Sequence, residues 1–352
     1  MARVRFAPSP TGSLHLGSAL TAVANRRFVD EHGGALVLRI DDTDAARRHA
    51  DAEEAIVRDL DWLDIHLEEG PIRQSERGDL YRASAERLLA DGSAFEEEGA
   101  IRFTKERRPT LIRADGSATY HLASVVDDVD LEITHVIRGK DHLSNTPLHA
   151  ALTTALGATP PEYVHHGLLV GADGTKLSKR HGASSLADLR ERGIPAEAVR
   201  RYLEELGLPR GDVHFDDARL AGLAVEAIAG LSDHDLAERV GAPVEAAPAL
   251  RGARSLVEAR EIAKALLNAP PATEAPAAAR ETLQRFRELR VAANGDLTAN
   301  DAREIVAAVR ACGGDLRALR LVLTGHERGP ELWTVILALP REEALRRIDA
   351  AL

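Results

Sequence analysis

The sequence lacks the residues and segments that mark several classes of protein. Cys312 is its single cysteine among 352 residues. One cysteine excludes an internal disulfide and a zinc cluster built on cysteines. No run of about 18 apolar residues occurs, and Met1–Phe6 leads directly to Pro8 and Pro10 rather than to an apolar signal core. We therefore expect no secretion signal, no membrane-spanning helix and a soluble protein of the cytoplasm.

Basic residues are fewer than acidic residues. The chain has 45 Lys and Arg against 56 Asp and Glu, a net charge of −11. This balance argues against a general polyanion-binding protein, because a phosphate backbone requires a positive face, although a local basic stripe stays possible. The 44% hydrophobic and 29% charged residues are typical of globular proteins and exclude wholesale disorder or a collagen repeat. At about 100–200 residues per domain, two or three domains are expected.

The first 40 residues predict an α/β fold. A short apolar strand at residues 4–7 ends at Pro8, a helix follows over residues 17–31, and Gly33-Gly34 precedes a second apolar strand at residues 35–40. A strand, helix and strand joined by short loops form a βαβ unit, which indicates a parallel sheet covered by helices. Asp41–Asp44 follows the second strand, at the edge where such sheets bind ligands.

Further along the chain, helices are predicted over residues 52–63 and 79–91. A second group of strands and helices covers residues 118–156, and a strand and loop follow over 168–182. Beyond Leu186 the pattern becomes helical, with a Pro- and Ala-rich linker at residues 269–279. The fold class predicted is therefore an α/β domain followed by an all-α C-terminal region.

Two short motifs carry candidate chemistry. His15-Leu16-Gly17-Ser18 lies where the first helix begins, and free amide groups at a helix N-terminus favour phosphate. The segment Lys176–Arg180 places three cations and a hydroxyl on a loop opened by Asp173-Gly174-Thr175. Such a loop could clamp a polyphosphate and neutralise its developing charge. Each motif alone is also compatible with an ordinary helix start or a solvated basic loop.

Together the two motifs resemble the paired signature of class I aminoacyl-tRNA synthetases. The neighbouring segments resemble glutamyl-tRNA synthetase in particular, and the resemblance implies a Rossmann-like catalytic domain. A weaker likeness continues through residues 185–208, similar to the stem-contact segment of that family, and at residues 321–352, similar to the end of its anticodon-binding region. The segments that carry the resemblance are Arg5–Gly12, Leu38–Asp44, Tyr120–Asp128, Thr134–Gly139 and Lys176–Gly182.

The resemblance implies that the chain activates glutamate with ATP, bound as Mg-ATP, and then esterifies the terminal adenosine of tRNA. It assigns His15, Gly17, Lys176 and Lys179 to stabilising the phosphates, and Leu169 to the adenine pocket. No zinc is expected. The residues assigned to the nucleotide are His15, Gly17, Asp141, Leu169, Lys176, Ser178 and Lys179.

The resemblance also implies an amino-acid site. Arg5 and Arg138 would hold the side-chain carboxylate of glutamate, a task that suits guanidinium groups because they stay charged and bind carboxylates bidentately. Asp41 would bind the α-amino group. The residues assigned to glutamate are Arg5, Ser9, Asp41, Tyr120, Ser124 and Arg138.

The chain departs from the family pattern at two of these positions and at one position beside the site. Asp41 stands where Glu is usual and is one methylene shorter. Ser124 replaces an Asn that usually faces the substrate, and Lys140 reverses the charge at a position that is commonly acidic. These differences could loosen the selectivity for glutamate.

A deletion is the largest departure. Only residues 96–119 separate Phe95 from Tyr120, where the family inserts a domain that grips the acceptor end of tRNA. A basic stretch over residues 102–113 is interpreted as a solvated hairpin, with a remnant tRNA contact as the alternative. The domains predicted are a catalytic domain over 1–186 with a shortened insertion at 94–118, a stem-contact-like segment over 187–210 and a helical, anticodon-binding-like region over 211–352.

Three functions are compatible with these observations. The first is a compact glutamate–tRNA ligase. The second is a paralogue that forms an aminoacyl-adenylate but passes it to a modified tRNA base, a small amine or a carrier protein. The third is a non-catalytic nucleotide- or tRNA-binding regulator, which has no need for the phosphate-binding residues. The partners expected are tRNA and L-glutamate, with no membrane. A monomer is assumed, since the sequence carries no signal for oligomeric state.

Overall fold

The computed structural model describes residues 1–43, 51–105, 108–175, 177, 185–268, 277–293 and 295–352. The chain forms two compact units, one of residues 1–189 and 200–216 and the other of residues 190–199 and 217–352. The elements up to residue 216 are β1 (Ala2–Phe6), α1 (Leu16–His32), β2 (Gly34–Ile40), α2 (Ala52–Trp62), β3 (Glu69–Arg73), α3 (Gly78–Ala90), β4 (Ala94–Glu97), β5 (Ala100–Phe103), β6 (Thr110–Ile112), α4 (Tyr120–Asp130), β7 (His135–Gly139), α5 (Thr146–Ala155), β8 (Glu162–His166), β9 (Leu169–Val170), α6 (Leu186–Glu191), α7 (Ala196–Leu206) and β10 (Val213–His214).

Parallel strands form the centre of the first unit. β1 pairs with β2 and β2 with β3, while β7 pairs with β8 and β9 with β10, and each of these pairs is parallel. The amide of Thr134 donates to the carbonyl of Arg3 at 2.9 Å, which places the start of β7 beside β1. The predicted α/β fold with a parallel sheet is therefore confirmed, and the carboxyl ends of β1, β2 and β7 lie close together.

The predicted βαβ unit at the N-terminus is present as β1, α1 and β2. Its strands are buried because they are apolar, and Val4, Leu36 and Leu38 have no exposed surface. Burial of such strands between helices supplies the main stabilisation of the sheet. β3 was not predicted, since its sequence Glu-Gly-Pro-Ile-Arg has no apolar run and its first three residues are exposed.

β4, β5 and β6 form a small antiparallel sheet. The stretch interpreted as a hairpin therefore contains the antiparallel strands β5 and β6, and its role toward tRNA stays a prediction. Phe103 and Leu111 of this sheet are buried against α3 and α4, so the sheet is anchored to the first unit by its own apolar side chains.

The second unit is helical where the structure describes it. Its core contains buried residues from successive helices, among them Phe286, Leu319 and Ile348. Of the linker predicted at residues 269–279, residues 269–276 lie outside the described part of the chain. The helices after residue 216 are α8 (Asp217–Gly230), α9 (Asp233–Val240), α10 (Ala247–Leu250), α11 (Leu256–Leu267), α12 (Arg280–Ala292), α13 (Ala299–Ala311), α14 (Leu316–Thr324), α15 (Leu332–Ala338) and α16 (Arg341–Ala351).

In the part of the chain that the structure describes, no helix combines the length and the apolar character needed to cross a bilayer.

Candidate active site

A cavity of about 350 Å³ lies at the carboxyl ends of β1, β2 and β7. This is the edge of a parallel sheet at which ligands usually bind, because the loops that follow the strands diverge there. Its wall contains nine residues predicted for the site from the sequence, which are Arg5, Ser9, His15, Gly17, Asp41, Tyr120, Arg138, Asp141 and Leu169. The structure thus brings residues from well-separated segments of the chain to one cavity.

The beginning of α1 forms one side of the cavity. His15 precedes the helix in an extended conformation, and its side chain makes no capping hydrogen bond. The first amide groups of a helix have no partners within the helix, and they carry partial positive charge. The Nδ1 atom of His15 is buried and has no hydrogen-bond partner among the described residues. A Cβ atom added at Gly17 would meet no atom of the described residues within 4 Å, so the described part of this end of the cavity leaves room for an anionic group.

Two arginines approach the cavity from neighbouring strands. Arg5 lies on β1, and its Nε is 3.1 Å from Oδ1 of the buried Asp128. Arg138 lies on β7 and donates to neutral groups, with Nη2 3.1 Å from Oγ1 of Thr146 and Nε 3.3 Å from Nε2 of His165. The guanidinium of Arg5 is therefore paired with a carboxylate, whereas that of Arg138 is bonded to neutral groups.

Arg138 is buried and incompletely bonded. Its residue is 5% exposed, and its Nη1 has no hydrogen-bond partner in the described part of the structure. Burial lowers the pKa of Arg138, and the nearby charge of Arg5 acts in the same direction. Among the described residues Arg138 forms no ion pair, and a buried cation that is not directly paired is costly, so this position favours an anionic ligand.

Asp41 directly follows β2, and Arg39 lies on that strand two residues before it. Arg39 donates to Asp41 through Nε to Oδ1 at 2.7 Å and through Nη2 to Oδ2 at 3.3 Å. Burial raises the pKa of Asp41, although the charge of Arg39 opposes this effect. The carboxylate is held by a fork of two donors and keeps lone pairs for a cationic ligand group.

The cavity wall also contains Tyr120. Its hydroxyl lies 3.1 Å from Nδ1 of His142, which also lines the cavity. Burial raises the pKa of the Tyr120 hydroxyl, so the group stays protonated and can donate a hydrogen bond.

Ser124 does not reach the cavity wall. It lies on α4 with 1% of its surface exposed, and its Oγ has no partner among the described residues. Lys176, Ser178 and Lys179 lie outside the described residues. Leu177 between them is described, lines the cavity and donates its amide hydrogen to the carbonyl of Leu169 at 3.0 Å.

Several polar residues of the cavity wall were not predicted from the sequence. Arg39 is one of them, although a charged residue within an apolar strand indicates a paired buried group, because a buried charge requires partners. Thr21 and His166 are two more, with Oγ1 of Thr21 3.0 Å from Nε2 of His166. His166 is buried, which lowers its pKa, and no motif in the sequence points to it.

The basic stretch of the β4–β6 sheet is partly neutralised. Nε of Arg102 lies 2.9 Å from Oε2 of Glu97, and Nη1 of Arg108 lies 3.8 Å from Oε1 of the same residue. The guanidinium of Arg108 also lies over the ring of Phe95, 5.2 Å from its centre. These contacts fit a solvated hairpin whose positive charge is shared with its own carboxylate.

Comparisons with known proteins agree with this geometry. The family described as tRNA synthetases class I (E and Q), catalytic domain, matches residues 1–100 and 98–215. Glutamate–tRNA ligase 1 of Rubrobacter xylanophilus is 38% identical over 99% of this chain and 97% of its own, and the aligned stretch spans 421 positions. Glutamate–tRNA ligase 2 of Koribacter versatilis is 32% identical over the same shares of the two chains. Both relatives therefore carry segments that this chain of 352 residues lacks.

A solved structure is similar over nearly the whole chain. The glutamate tRNA ligase from Elizabethkingia meningosepticum, crystallised in complex with its amino acid, has a TM-score of 0.80 and 24% identity over 99% of each chain. At this identity the similarity concerns the fold. It extends the agreement beyond the α/β unit to the helical C-terminal region.

Proposed function

Because the chain belongs to the glutamyl-tRNA synthetase family of class I, we propose that it activates L-glutamate with ATP and transfers the glutamyl group to the 3′ end of tRNA(Glu). Members of this family are ligases, and the chain is an enzyme of that kind. The observation that carries the choice of glutamate is the buried guanidinium of Arg138, whose Nη1 has no partner among the described residues. A carboxylate side chain supplies the missing charge, whereas a neutral amide does not.

The first reaction joins glutamate to AMP. The α-carboxylate of glutamate attacks the α-phosphorus of ATP, and the bond to the bridging oxygen breaks, so that pyrophosphate leaves. The beginning of α1 would stabilise the negative charge that develops on the phosphates, through its free amide groups and the ring of His15. Mg²⁺ would enter with ATP and neutralise part of the charge of the departing pyrophosphate. Lys176 and Lys179 would contribute further positive charge.

The amino acid would be held at both ends. Arg138 and Arg5 would bind the side-chain carboxylate, and Asp41 would accept hydrogen bonds from the α-ammonium group. The Tyr120 hydroxyl, kept protonated by its environment, would donate to a substrate oxygen. Holding both ends aligns the α-carboxylate with ATP, and such positioning contributes much of the rate in group transfer.

In the second reaction a ribose hydroxyl of the terminal adenosine attacks the glutamyl carbonyl, and AMP leaves. We propose that residues 187–210 contact the acceptor side of tRNA and that residues 211–352 contact its anticodon side. The relatives named above are glutamate–tRNA ligases, and the match covers nearly their full length. They support tRNA as the acceptor and do not favour a carrier protein or small amine. We also propose that the protein acts in the cytoplasm, as a monomer and without zinc.

Glutamate-dependent exchange of labelled pyrophosphate into ATP, measured with and without total tRNA, tests the activation step. Charging of tRNA with labelled glutamate, with periodate-oxidised tRNA as control, tests the acceptor. We expect exchange and charging to require glutamate, and oxidised tRNA to accept no label. Exchange without any charging would contradict the tRNA ligase proposal and leave another acceptor.

A further inference from the structure

Four charged side chains of alternating sign are joined by hydrogen bonds at the proposed amino-acid site. Arg5 donates to Oδ1 of Asp128 at 3.1 Å. The same oxygen accepts from Nη1 of Arg39 at 2.8 Å. Arg39 in turn binds Asp41 through two hydrogen bonds. The series Arg5–Asp128–Arg39–Asp41, termed here the charge chain, joins both ends of the proposed amino-acid site.

The charge chain connects three separate elements of the first unit. Arg5 lies on β1, Arg39 on β2 with Asp41 directly after that strand, and Asp128 on α4. Exposed side-chain surface amounts to 6% for Arg5, 1% for Arg39 and 7% for Asp128. Ion pairs at this depth are poorly screened by solvent, and each member is held in place by the partners that compensate its charge.

Asp128 is the member that joins the two halves. Arg5 would bind the substrate's carboxylate side, while Asp41 would bind its ammonium group, and neither of these residues bonds directly to the other. Both halves meet at one oxygen of Asp128. Burial alone would raise the pKa of Asp128, but Arg5 and Arg39 outweigh it and lower the pKa, so the carboxylate is charged at neutral pH.

We propose that Asp128 is a positioning residue that fixes the separation between Arg5 and Asp41, and that this separation selects glutamate over the shorter dicarboxylate aspartate. The proposal rests on the proposed function and adds to it a residue that contacts its neighbours rather than the substrate. Asp41 is one methylene shorter than the glutamate expected there from the family resemblance, so its place depends strongly on Arg39. Asp128 lies 2.8 Å from Arg39, whereas the neighbouring carboxylate of Asp127 lies 3.7 Å from it, so the position of Asp41 depends mainly on Asp128.

The test replaces Asp128 with an amide of the same shape. In Asp128→Asn an oxygen acceptor remains while the charge that holds both arginines is lost. We expect the KM for glutamate to rise at least tenfold, the KM for ATP to stay within twofold, and the glutamate-to-aspartate ratio of kcat/KM to fall at least fivefold. A purely structural role would instead lower kcat through the active fraction and leave the KM for glutamate and the selectivity unchanged.

A second variant covers the case in which Asp128→Asn does not fold. Arg39→Lys keeps the positive charge but loses the planar fork that holds Asp41 and Asp128 together, and we expect the same shifts in glutamate KM and selectivity. The matched control is Asp130→Asn on the same helix, whose carboxylate pairs with Arg77 and lies outside the charge chain. It should leave all three parameters unchanged.

The outcomes separate the two proposals. If the unmodified protein shows no glutamate-dependent exchange with tRNA present, the proposed function fails, and the role of Asp128 fails with it. If the unmodified protein is active and a folded Asp128→Asn, or failing that Arg39→Lys, keeps its glutamate KM and its selectivity, the positioning role alone is overturned. Loss of selectivity with an unchanged ATP KM supports it.

Discussion

Nζ of Lys140 lies 2.8 Å from Oδ2 of Asp212, and these two residues are far apart in the chain. The other carboxylate oxygen of Asp212 accepts a hydrogen bond from the amide of Leu168 at 2.8 Å. Leu168 and Leu169 line the cavity, so the pair links the loop after β7 to the segment that precedes β9. The positive charge of Lys140, which departs from the family pattern, therefore has a local partner. The pair lowers the pKa of the Asp212 carboxyl.

A charge exchange tests this link. Lys140→Asp places two carboxylates together and should raise the KM for ATP by only about two- to fivefold, because partly exposed ion pairs are weak. Asp212→Lys should have a similar effect. The double variant restores an opposite pair and should recover most of the loss, as steady-state exchange assays at low salt would show. Additive losses in the double variant would contradict a direct interaction.

Arg138 permits a stronger prediction for the amino acid. Arg138→Ala removes a desolvated charge from the proposed glutamate site, an effect of about 2–5 kcal/mol. The KM for glutamate should therefore rise at least about 30-fold, with the KM for ATP little changed. Arg138→Lys keeps the positive charge but loses the planar guanidinium, so its KM for glutamate should lie between those of the unmodified protein and Arg138→Ala. An unchanged glutamate dependence in Arg138→Ala would mean that the substrate is a different amino acid.

His149 predicts how stability depends on pH. It lies on α5 with 1% of its surface exposed, and burial, together with the charges of Arg138 and His121, lowers its pKa to about 3. In the unfolded chain a histidine titrates near pH 6.5. Between these values the unfolded chain binds more protons than the folded protein, so the free energy of unfolding falls as the pH drops below about 6.5.

Comparison with His149→Gln isolates this contribution. Each pKa unit corresponds to about 1.4 kcal/mol, so between pH 6.5 and 4.5 the unmodified protein should lose roughly 2 kcal/mol more than the variant. Urea unfolding at several pH values measures the difference. His66→Gln provides the control, because the side chain of His66 is 83% exposed. Equal pH dependence in the His149 variant and the unmodified protein would contradict a neutral buried ring.

The sequence was most informative where local rules are strong. The order of β1, α1 and β2 could be predicted because apolar strands, a glycine break and prolines follow one another within 40 residues. The nine residues that meet in the cavity could be predicted only as separate groups, through a family resemblance. Arg39, His166 and the Lys140–Asp212 pair were missed, since their roles depend on partners distant in the chain. No local pattern encodes such contacts.

The contact between Gly167 and Gly211 gives the last prediction. A Cβ atom added at Gly167 would lie 1.7 Å from the carbonyl oxygen of Gly211, whereas one added at Gly211 would meet nothing within 4 Å in the part of the chain that the structure describes. The obstructing atom in the first case is backbone, so Gly167→Ala must push apart the segments before β9 and β10. Such overpacking typically costs about 1–3 kcal/mol.

We therefore expect Gly167→Ala to lower the free energy of unfolding by about 1–3 kcal/mol or more. Because Leu168 and Leu169 follow Gly167 directly, the KM for ATP should also rise. Gly211→Ala is the matched control on the other side of the same contact, and it should change stability by less than about 0.5 kcal/mol. Denaturant unfolding and pyrophosphate exchange on both variants measure the two effects. If the two substitutions destabilise equally, close approach at Gly167 is not what holds β9 against β10. If Gly167→Ala lowers stability without changing the KM for ATP, the strand pair supports the fold but does not position the nucleotide wall.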